Sequence, residues 1–291
     1  MLKNSHVFRG CYPVAVLAAA CIGVGAMTST AQASLILMDG NALFDTSLPG
    51  SSAGTSGGAS VFRPNSAQSA NYLSQQSWHF RIDGVHNKQY MFASNHGNFT
   101  QSGMFSSLGT MNWTGLAGGL LNAELQIALA DGAELNQAVL TQTMSITNTS
   151  QSAFTISLFH YADINAGGAS VFNTAQSLTS ELMSFSSPGT NTFVHWEGVG
   201  ADAHDYRAHN SLFNDLVGPN AFNLGSPVSP LSDIDATGAY QWNLTIDPGE
   251  TVSIKSIISA NIAIPAPGAI GLAMVAGLFG HYGGGGRRRR Y

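Results

Sequence analysis

The segment Tyr240-Gln241-Trp242-Asn243-Leu244-Thr245-Ile246 alternates apolar and polar side chains over the length of one strand. Successive side chains of a β-strand point to opposite faces, so one face of this segment is apolar and the other is polar. Asp247-Pro248-Gly249-Glu250 follows, with proline and glycine at the two central positions that suit a type II turn. Apolar residues then recur at even spacing from Val252 to Ile262, and we predict a hairpin over residues 239–262.

The same period of two recurs along the chain between short polar turns. It predicts three further hairpins, formed by residues 140–148 with 154–161, 78–83 with 88–93, and 178–185 with 192–197. Residues 116–135 contain enough Ala and Leu for a helix, but Leu125, Ile127 and Leu129 alternate, and we interpret this segment as a strand. About ten or more strands, each with one apolar face, need a second layer to cover them. The predicted fold class is therefore all-β, an antiparallel β-sandwich.

The body of the chain contains a short internal repeat. Gly57-Gly58-Ala59-Ser60-Val61-Phe62 recurs as residues 167–172. Two related halves within the body, residues 34–263, would produce this repeat, and so would chance in a chain rich in Ser, Ala and Gly.

The N-terminal 33 residues have the pattern of a signal peptide. Lys3 and Arg9 precede an apolar stretch, residues 14–26, and Ala31-Gln32-Ala33 offers the small side chains that signal peptidase requires. We predict cleavage between Ala33 and Ser34. The alternative is a lipobox ending at Cys21, with acylation of that cysteine. Both cysteines of the chain lie in this segment, so the mature body is expected to contain neither a disulfide nor a thiol.

The C-terminal segment, residues 264–291, has a second pattern that indicates a destination. Pro265-Ala266-Pro267 precedes an apolar run, residues 268–280, and the chain continues through a glycine spacer to four arginines. An apolar run in lipid must satisfy its backbone internally, so we predict a short membrane helix with the arginines on the cytoplasmic side. The run is shorter than the roughly 20 residues of a comfortable bilayer span. A plain C-terminal anchor is the alternative.

This order of motifs resembles the PEP-CTERM class of bacterial sorting signals, in its proline-alanine-proline variant. The resemblance covers residues 264–291 only, and the commoner pattern has a glutamate where Ala266 stands. It implies recognition by a membrane-embedded protease, an exosortase, and delivery to the cell surface or extracellular matrix. The processing residues that we expect from both ends are Ala33, Ser34, Pro265, Ala266, Pro267, Arg287, Arg288, Arg289 and Arg290.

The charge of the body excludes one class of partner. The two ends hold six of the eleven Lys and Arg residues, so the body keeps five against all sixteen acidic residues, a net charge of −11. A phosphate backbone would repel such a body, and we expect no nucleic-acid partner.

Few residues indicate chemistry. His195 and Glu197 would share one face of a strand, and His204, Asp205 and His209 follow closely. We expect exposed polar pairs there, without a metal, a cofactor or a catalytic role. The oxygen spacings at residues 163/165 and 233/235 occur in calcium loops, but the remaining acidic positions of an EF-hand are missing, and solvated turns are expected. Trp78, Trp113, Trp196 and Trp242 suit either a sandwich core or a platform for sugar rings.

These observations predict an exported surface or matrix protein with a structural or adhesive role and no catalysis. Its expected partners are signal peptidase, an exosortase-like protease, the membrane through the tail, and extracellular polysaccharide. The alternative is a carbohydrate-binding or carbohydrate-active protein, a lyase or an epimerase on a supersandwich. That alternative requires His195, His204, Tyr206 and Arg207 to line one cleft.

Overall fold

Apolar residues at every second position give most of this chain its structure. Strand β9, Ala138–Asn148, alternates buried and half-buried residues along its whole length, as a strand with one face on a core must. The computed structural model describes residues 35–46, 58–67, 69–92, 98–168, 173–209 and 211–261. The other strands in chain order are β1 (Leu35–Asp39), β2 (Ala42–Thr46), β3 (Gly58–Arg63), β4 (Leu73–Ile82), β5 (Tyr90–Met91), β6 (Asn98–Ser102), β7 (Leu108–Gly115), β8 (Leu121–Asp131), β10 (Phe154–Ile164), β11 (Asn173–Thr179), β12 (Leu182–Ser187), β13 (Thr192–Val199), β14 (Ala203–Ala208), β15 (Leu231–Ile234), β16 (Ala236–Ile246) and β17 (Thr251–Ala260). The helices are α1 (Leu116–Gly119) and α2 (Ser211–Val217).

The described strands form two antiparallel sheets, which confirms the predicted all-β sandwich. The eight-stranded sheet has the order β1-β2-β3-β4-β10-β16-β14, with β5 paired to β4. The nine-stranded sheet has the order β15-β11-β12-β13-β17-β9-β8-β7-β6. The apolar faces of the two sheets meet in one large buried cluster. All four tryptophans lie in that cluster, so the core interpretation is confirmed and the alternative of a sugar platform is wrong.

The predicted hairpins divide into two groups. Strands β12 and β13 pair, and β4 pairs with β5, as expected. Of the ambiguous segment, residues 121–131 form the expected strand, β8, and residues 116–119 form the short helix α1. By contrast, β16 and β17 lie in different sheets, as do β9 and β10. The hairpins predicted over residues 239–262 and over residues 140–148 with 154–161 are therefore wrong. The turns at residues 149–153 and 247–250 are therefore arches that carry the chain from one sheet to the other. Alternation fixes which face of a strand is buried, but two strands facing each other across a core alternate in the same way as a hairpin.

Asn148 joins the two arches. Its side chain is fully buried and its Nδ2 donates to the carbonyls of Ser152 and Ile246 at 2.8 and 2.9 Å. Its backbone carbonyl accepts from the amide of Gly249, and its own amide donates to the carbonyl of Glu250. One amide side chain thus satisfies backbone groups from both crossings, which a buried corner requires.

A chain of polar side chains crosses the core between the sheets. The Trp196 indole N–H donates to Ser256 Oγ at 2.7 Å, and Ser256 Oγ lies 2.9 Å from His160 Nδ1. Because His160 Nε2 faces the acceptor Gln76 Oε1 at 3.3 Å, the imidazole proton lies on Nε2, and the Ser256 hydroxyl donates to Nδ1. Burial lowers the pKa of His160 to about 3, so the ring is neutral.

Two residues extend this chain on the far side of His160. Gln142 of the nine-stranded sheet donates to Gln76 Oε1 at 2.7 Å, and Trp78 donates to Gln142 Oε1 at 3.0 Å. The core of the sandwich is therefore joined by directed hydrogen bonds as well as by apolar packing.

The predicted targeting segments lie outside the described residues. This holds for residues 1–33, for residues 264–291, and for all the processing residues named above. In the part of the chain that the structure describes, no helix is long and apolar enough to cross a membrane.

Candidate functional site

A second group of buried side chains lies on the outer face of the eight-stranded sheet, the face turned away from the nine-stranded sheet. Phe159 and Tyr161 of β10 and Ala239 of β16 contribute to it. Helix α2 covers them with Leu212, Phe213 and Leu216. The centre of the outer face is therefore closed, and the polar residues of this face surround the closed area.

Arg81 lies on one side of the area that helix α2 covers, and it holds the segment around residue 222 against the sheet. Its guanidinium donates to the Phe222 carbonyl and to Asn223 Oδ1, each at 2.8 Å, and to Ser157 Oγ at 3.1 Å. It also lies 5.9 Å from the centroid of the Phe159 ring. The segment around residue 222 is thus attached to the sheet by a buried cation.

A cavity of about 500 Å³ lies at the β14 edge of the same sheet. Its walls come from β14, from β15 and from the segment between α2 and β15. The side chains and backbone lining it include those of Asp205, Arg207, Gly225, Pro227, Leu231 and Ile234. Apolar walls with a few polar groups are typical of ligand pockets of roughly 300–1,000 Å³.

Arg207 is the main polar group of the cavity. Its Nε and Nη2 donate to Asp205 Oδ2 at 3.0 and 2.7 Å, and its Nη1 donates to Asp215 Oδ2 at 2.7 Å. The hydrogen bond with Asp205 raises the pKa of Arg207 above its ordinary value. The guanidinium lies 5.2 Å from the centroid of Phe222, which holds it over a ring face. Three of its five N–H groups are used in these bonds, which leaves two without a partner among the described residues.

A second polar group, the acid–histidine cluster, consists of Asp163, His209 and Asp235. His209 Nδ1 lies 3.4 Å from Asp163 Oδ2 and 3.4 Å from Asp235 Oδ2. Asp163 is buried, and Ser74 donates to its Oδ2 at 2.8 Å. Burial raises the pKa of Asp163 above its ordinary value. Among the described residues Asp163 Oδ1 has no hydrogen-bond partner.

Strand register explains this cluster. On neighbouring strands, Asp163 of β10 pairs with Thr237 of β16, and Thr237 pairs with Arg207 of β14. His209 comes two residues after Arg207, and its amide donates to the carbonyl of Asp235 at 2.7 Å. Sequence reasoning considered these three residues separately, because the order β10-β16-β14 brings them together and no local spacing shows it. The i, i+2 spacing predicted no more than Asp163 with Asn165 and Asp233 with Asp235.

The structure separates the residues that the lyase alternative needed. His195 lies on β13 of the nine-stranded sheet, and burial lowers its pKa. His204 and Tyr206 are buried with their rings stacked at 6.3 Å. Tyr206 and Arg207 both line the cavity, whereas His195 and His204 are not among its lining residues. These four side chains therefore do not line one cleft, and the site that we expected for the lyase alternative is wrong.

Comparison with known proteins identifies the fold. No family model matches the sequence, and no curated protein matches it. A galactose mutarotase-like protein from Lactobacillus casei has a TM-score of 0.51 at 11% identity, over 78% of this chain and 100% of that one. A galactose mutarotase related enzyme from Lactobacillus acidophilus gives 0.47 at 8% identity, over 79% and 98%. A bacterial glucoamylase complexed with acarbose has a TM-score of 0.48 at 7% identity. The match covers 81% of this chain and 32% of the glucoamylase, so this chain spans about a third of that protein.

The first likeness shows that the body has the sandwich of a mutarotase-like protein. This finding overturns our expectation of a protein without catalysis. That expectation rested on the lack of a catalytic sequence motif, and a sandwich assembles its polar residues across strands, where no motif forms. At 11% identity the likeness shows the fold and no particular reaction.

Proposed function

We propose that this chain is an exported carbohydrate-binding or carbohydrate-active protein, with its sugar site in the cavity beside Arg207. The observation that carries the proposal is the composition of that cavity. An ion-paired guanidinium, with two N–H groups that have no partner among the described residues, lines the same cavity as the apolar side chains of Leu231 and Ile234. Sugars present hydroxyls at their edges and C–H groups on their faces, and such a cavity offers a partner for each.

The charge of the site favours a neutral sugar over a uronate. Arg207 is already balanced by Asp205 and Asp215, so an added carboxylate would enter a region with a net negative charge. The body carries the same sign, at −11 from the five bases and sixteen acids counted above. The mutarotase-like neighbour is named after galactose, which is a neutral hexose. This supports the proposal only through the shared fold.

Export and sorting belong to the same proposal. The signal peptide, residues 1–33, and the PEP-CTERM-like tail, residues 264–291, support delivery to the cell surface or extracellular matrix, with signal peptidase and an exosortase-like protease as partners. A protein sent there meets extracellular polysaccharide. A structural or adhesive role at the surface is compatible with sugar binding.

Titration with neutral oligosaccharides, followed by calorimetry and by NMR of the sugar, tests the proposal. We expect Arg207→Gln and Leu231→Ser each to weaken binding about tenfold, since each removes one contact class worth roughly 1–2 kcal/mol. Val228→Ser is the matched control, because Val228 is 87% exposed on the same segment and does not line the cavity. The NMR spectra also report exchange between sugar anomers or cleavage of the chain. Saturable binding that none of these substitutions alters would place the site elsewhere.

A further inference from the structure

The acid–histidine cluster shares no residue with the ion pairs of Arg207 or with the lining of the proposed sugar site. It brings together three ends of chain segments. Asp163 is near the end of β10, His209 follows β14, and Asp235 lies between β15 and β16. Strand β15 pairs with β11 of the nine-stranded sheet, so the cluster stands where an edge of each sheet meets the other.

The distances in the cluster do not suit a simple hydrogen-bonded pair. An N–H···O hydrogen bond has a heavy-atom distance of about 2.7–3.2 Å, and charged partners come closer still. His209 Nδ1 instead stands 3.4 Å from an oxygen of each carboxylate. Tetrahedral ligands bound at about 2.0–2.1 Å are separated by roughly 3.3–3.4 Å. Two edges of the cluster thus have the length that a tetrahedral metal site requires, and all three ligand atoms lie within 4.8 Å of one another.

An unsatisfied buried oxygen supplies a second observation. The Asp163 side chain is 5% exposed, and within the described part of the chain its Oδ1 has no hydrogen-bond partner. A buried carboxylate oxygen without a hydrogen-bond partner costs free energy. In native proteins such an oxygen is normally bound to an ion or to an ordered water. The oxygen belongs to the same carboxylate whose Oδ2 faces His209. A cation between the three side chains would satisfy Oδ1 if both oxygens of the Asp163 carboxylate bind it.

We propose that Asp163, His209 and Asp235 form a binding site for a divalent transition-metal ion of the Zn²⁺ type. Calcium is the poorer match, since it takes six to eight oxygen ligands and this set contains a nitrogen. Two carboxylates and one imidazole are within the usual set for zinc, and three protein ligands leave one position for water or another ligand. His209 and Asp235 are 41% and 48% exposed, so an ion reaches the site from solvent. The bound ion ties the end of β10 to the two edge segments.

Zinc titration of the chelator-treated full chain tests this site by calorimetry and by thermal unfolding. We expect one Zn²⁺ per chain, a rise in Tm on saturation, and a loss of affinity of about tenfold or more in His209→Ala and Asp235→Asn. These two positions are exposed, so the variants are expected to fold even if an Asp163 variant does not. Ca²⁺ is expected to bind more weakly than Zn²⁺.

Two matched controls separate this site from adventitious binding. Asp233→Asn makes the same charge change two residues from Asp235, and His86→Ala removes a histidine that accepts from the Ile82 amide instead. Both controls are expected to bind zinc within about twofold of the parent, well below the effect of losing a ligand. The proposal is overturned if zinc does not saturate at one per chain, if His209→Ala binds as tightly as His86→Ala, or if Ca²⁺ binds more tightly than Zn²⁺.

Discussion

The imidazole of His160 lies parallel to the indole of Trp78, with their ring centroids 4.3 Å apart and their planes at 3°. The edge of the same imidazole meets Trp196 at 5.1 Å and 82°. Two tryptophans therefore fix the plane of the ring, and Ser256 and Gln76 fix its rotation within that plane. His160 is thus positioned for the hydrogen bonds that join the two sheets.

Removing the central hydroxyl of this arrangement is expected to destabilise the fold. Ser256→Ala leaves two buried partners unsatisfied, the Trp196 indole N–H and His160 Nδ1, at a cost of about 2–4 kcal/mol in the free energy of unfolding. Urea denaturation measures it. Ser253→Ala on the same strand removes an exposed hydrogen bond to Ser145, and we expect a change within about 0.5 kcal/mol. Equal losses in the two variants would contradict the structural role of Ser256.

The free energy of unfolding is expected to decrease when the pH is lowered from 7.5 to 5.5. Burial lowers the pKa of His79 and of His160 to about 3, whereas an unfolded histidine titrates near 6.5. Below about pH 6.5 the unfolded state therefore binds more protons than the folded state. Each of the two histidines then lowers the free energy of unfolding by roughly 1.4 kcal/mol per pH unit as the pH falls toward 3. Denaturant melts at the two pH values should differ by about 3 kcal/mol for the pair.

A variant separates the two histidines in this experiment. His79→Phe keeps an aromatic ring against Phe213 and removes one of the two titrations, so the loss between the same pH values should drop to about half. An unchanged loss would mean that His79 does not titrate in this way.

Asn148→Ala should lower Tm because it removes the side-chain hydrogen bonds that link the two arches. The side chain makes buried hydrogen bonds to Ser152 and Ile246, and we expect a loss of about 3 kcal/mol, or roughly 6–12 °C in a domain of this size. Calorimetry measures it. Asn122→Ala, which removes one acceptor for the Gly115 amide near the surface, is expected to shift Tm by less than about 3 °C.

Arg81→Gln should loosen the segment that borders the cavity while leaving the sheets intact. The guanidinium holds the Phe222 carbonyl and Asn223, and the next amide, that of Leu224, donates to Gln241 Oε1 at 2.9 Å. We expect hydrogen exchange at Leu224 to accelerate about tenfold or more, as local opening becomes cheaper. Lys88→Gln, which loses a cation lying over Tyr90, should leave that amide unchanged. Faster exchange throughout β10 as well would indicate global destabilisation instead.

Alternation in the sequence was enough to predict strands and the faces they bury, as in β8 and β13. It could not predict sheet partners, because Trp242 and Ile258 point toward the same core from different sheets. The separation of His204 from Arg207 follows from the same period of two, because even and odd positions of β14 face opposite ways. The approach of Asp163 to His209 depends on the order β10-β16-β14, which arises from long-range pairing and leaves no local trace.

The position of β17 constrains when this protein can fold. The strand follows every other described strand in the chain, yet it lies between β13 and β9 in the middle of the nine-stranded sheet. Until β17 has been synthesised, β13 and β9 each lack their partner in the sheet, and β15 to β13 cannot be joined to β9 to β6. Folding therefore waits for synthesis of nearly the whole body and proceeds through contacts distant in sequence, which places it among the slow, high-contact-order folders.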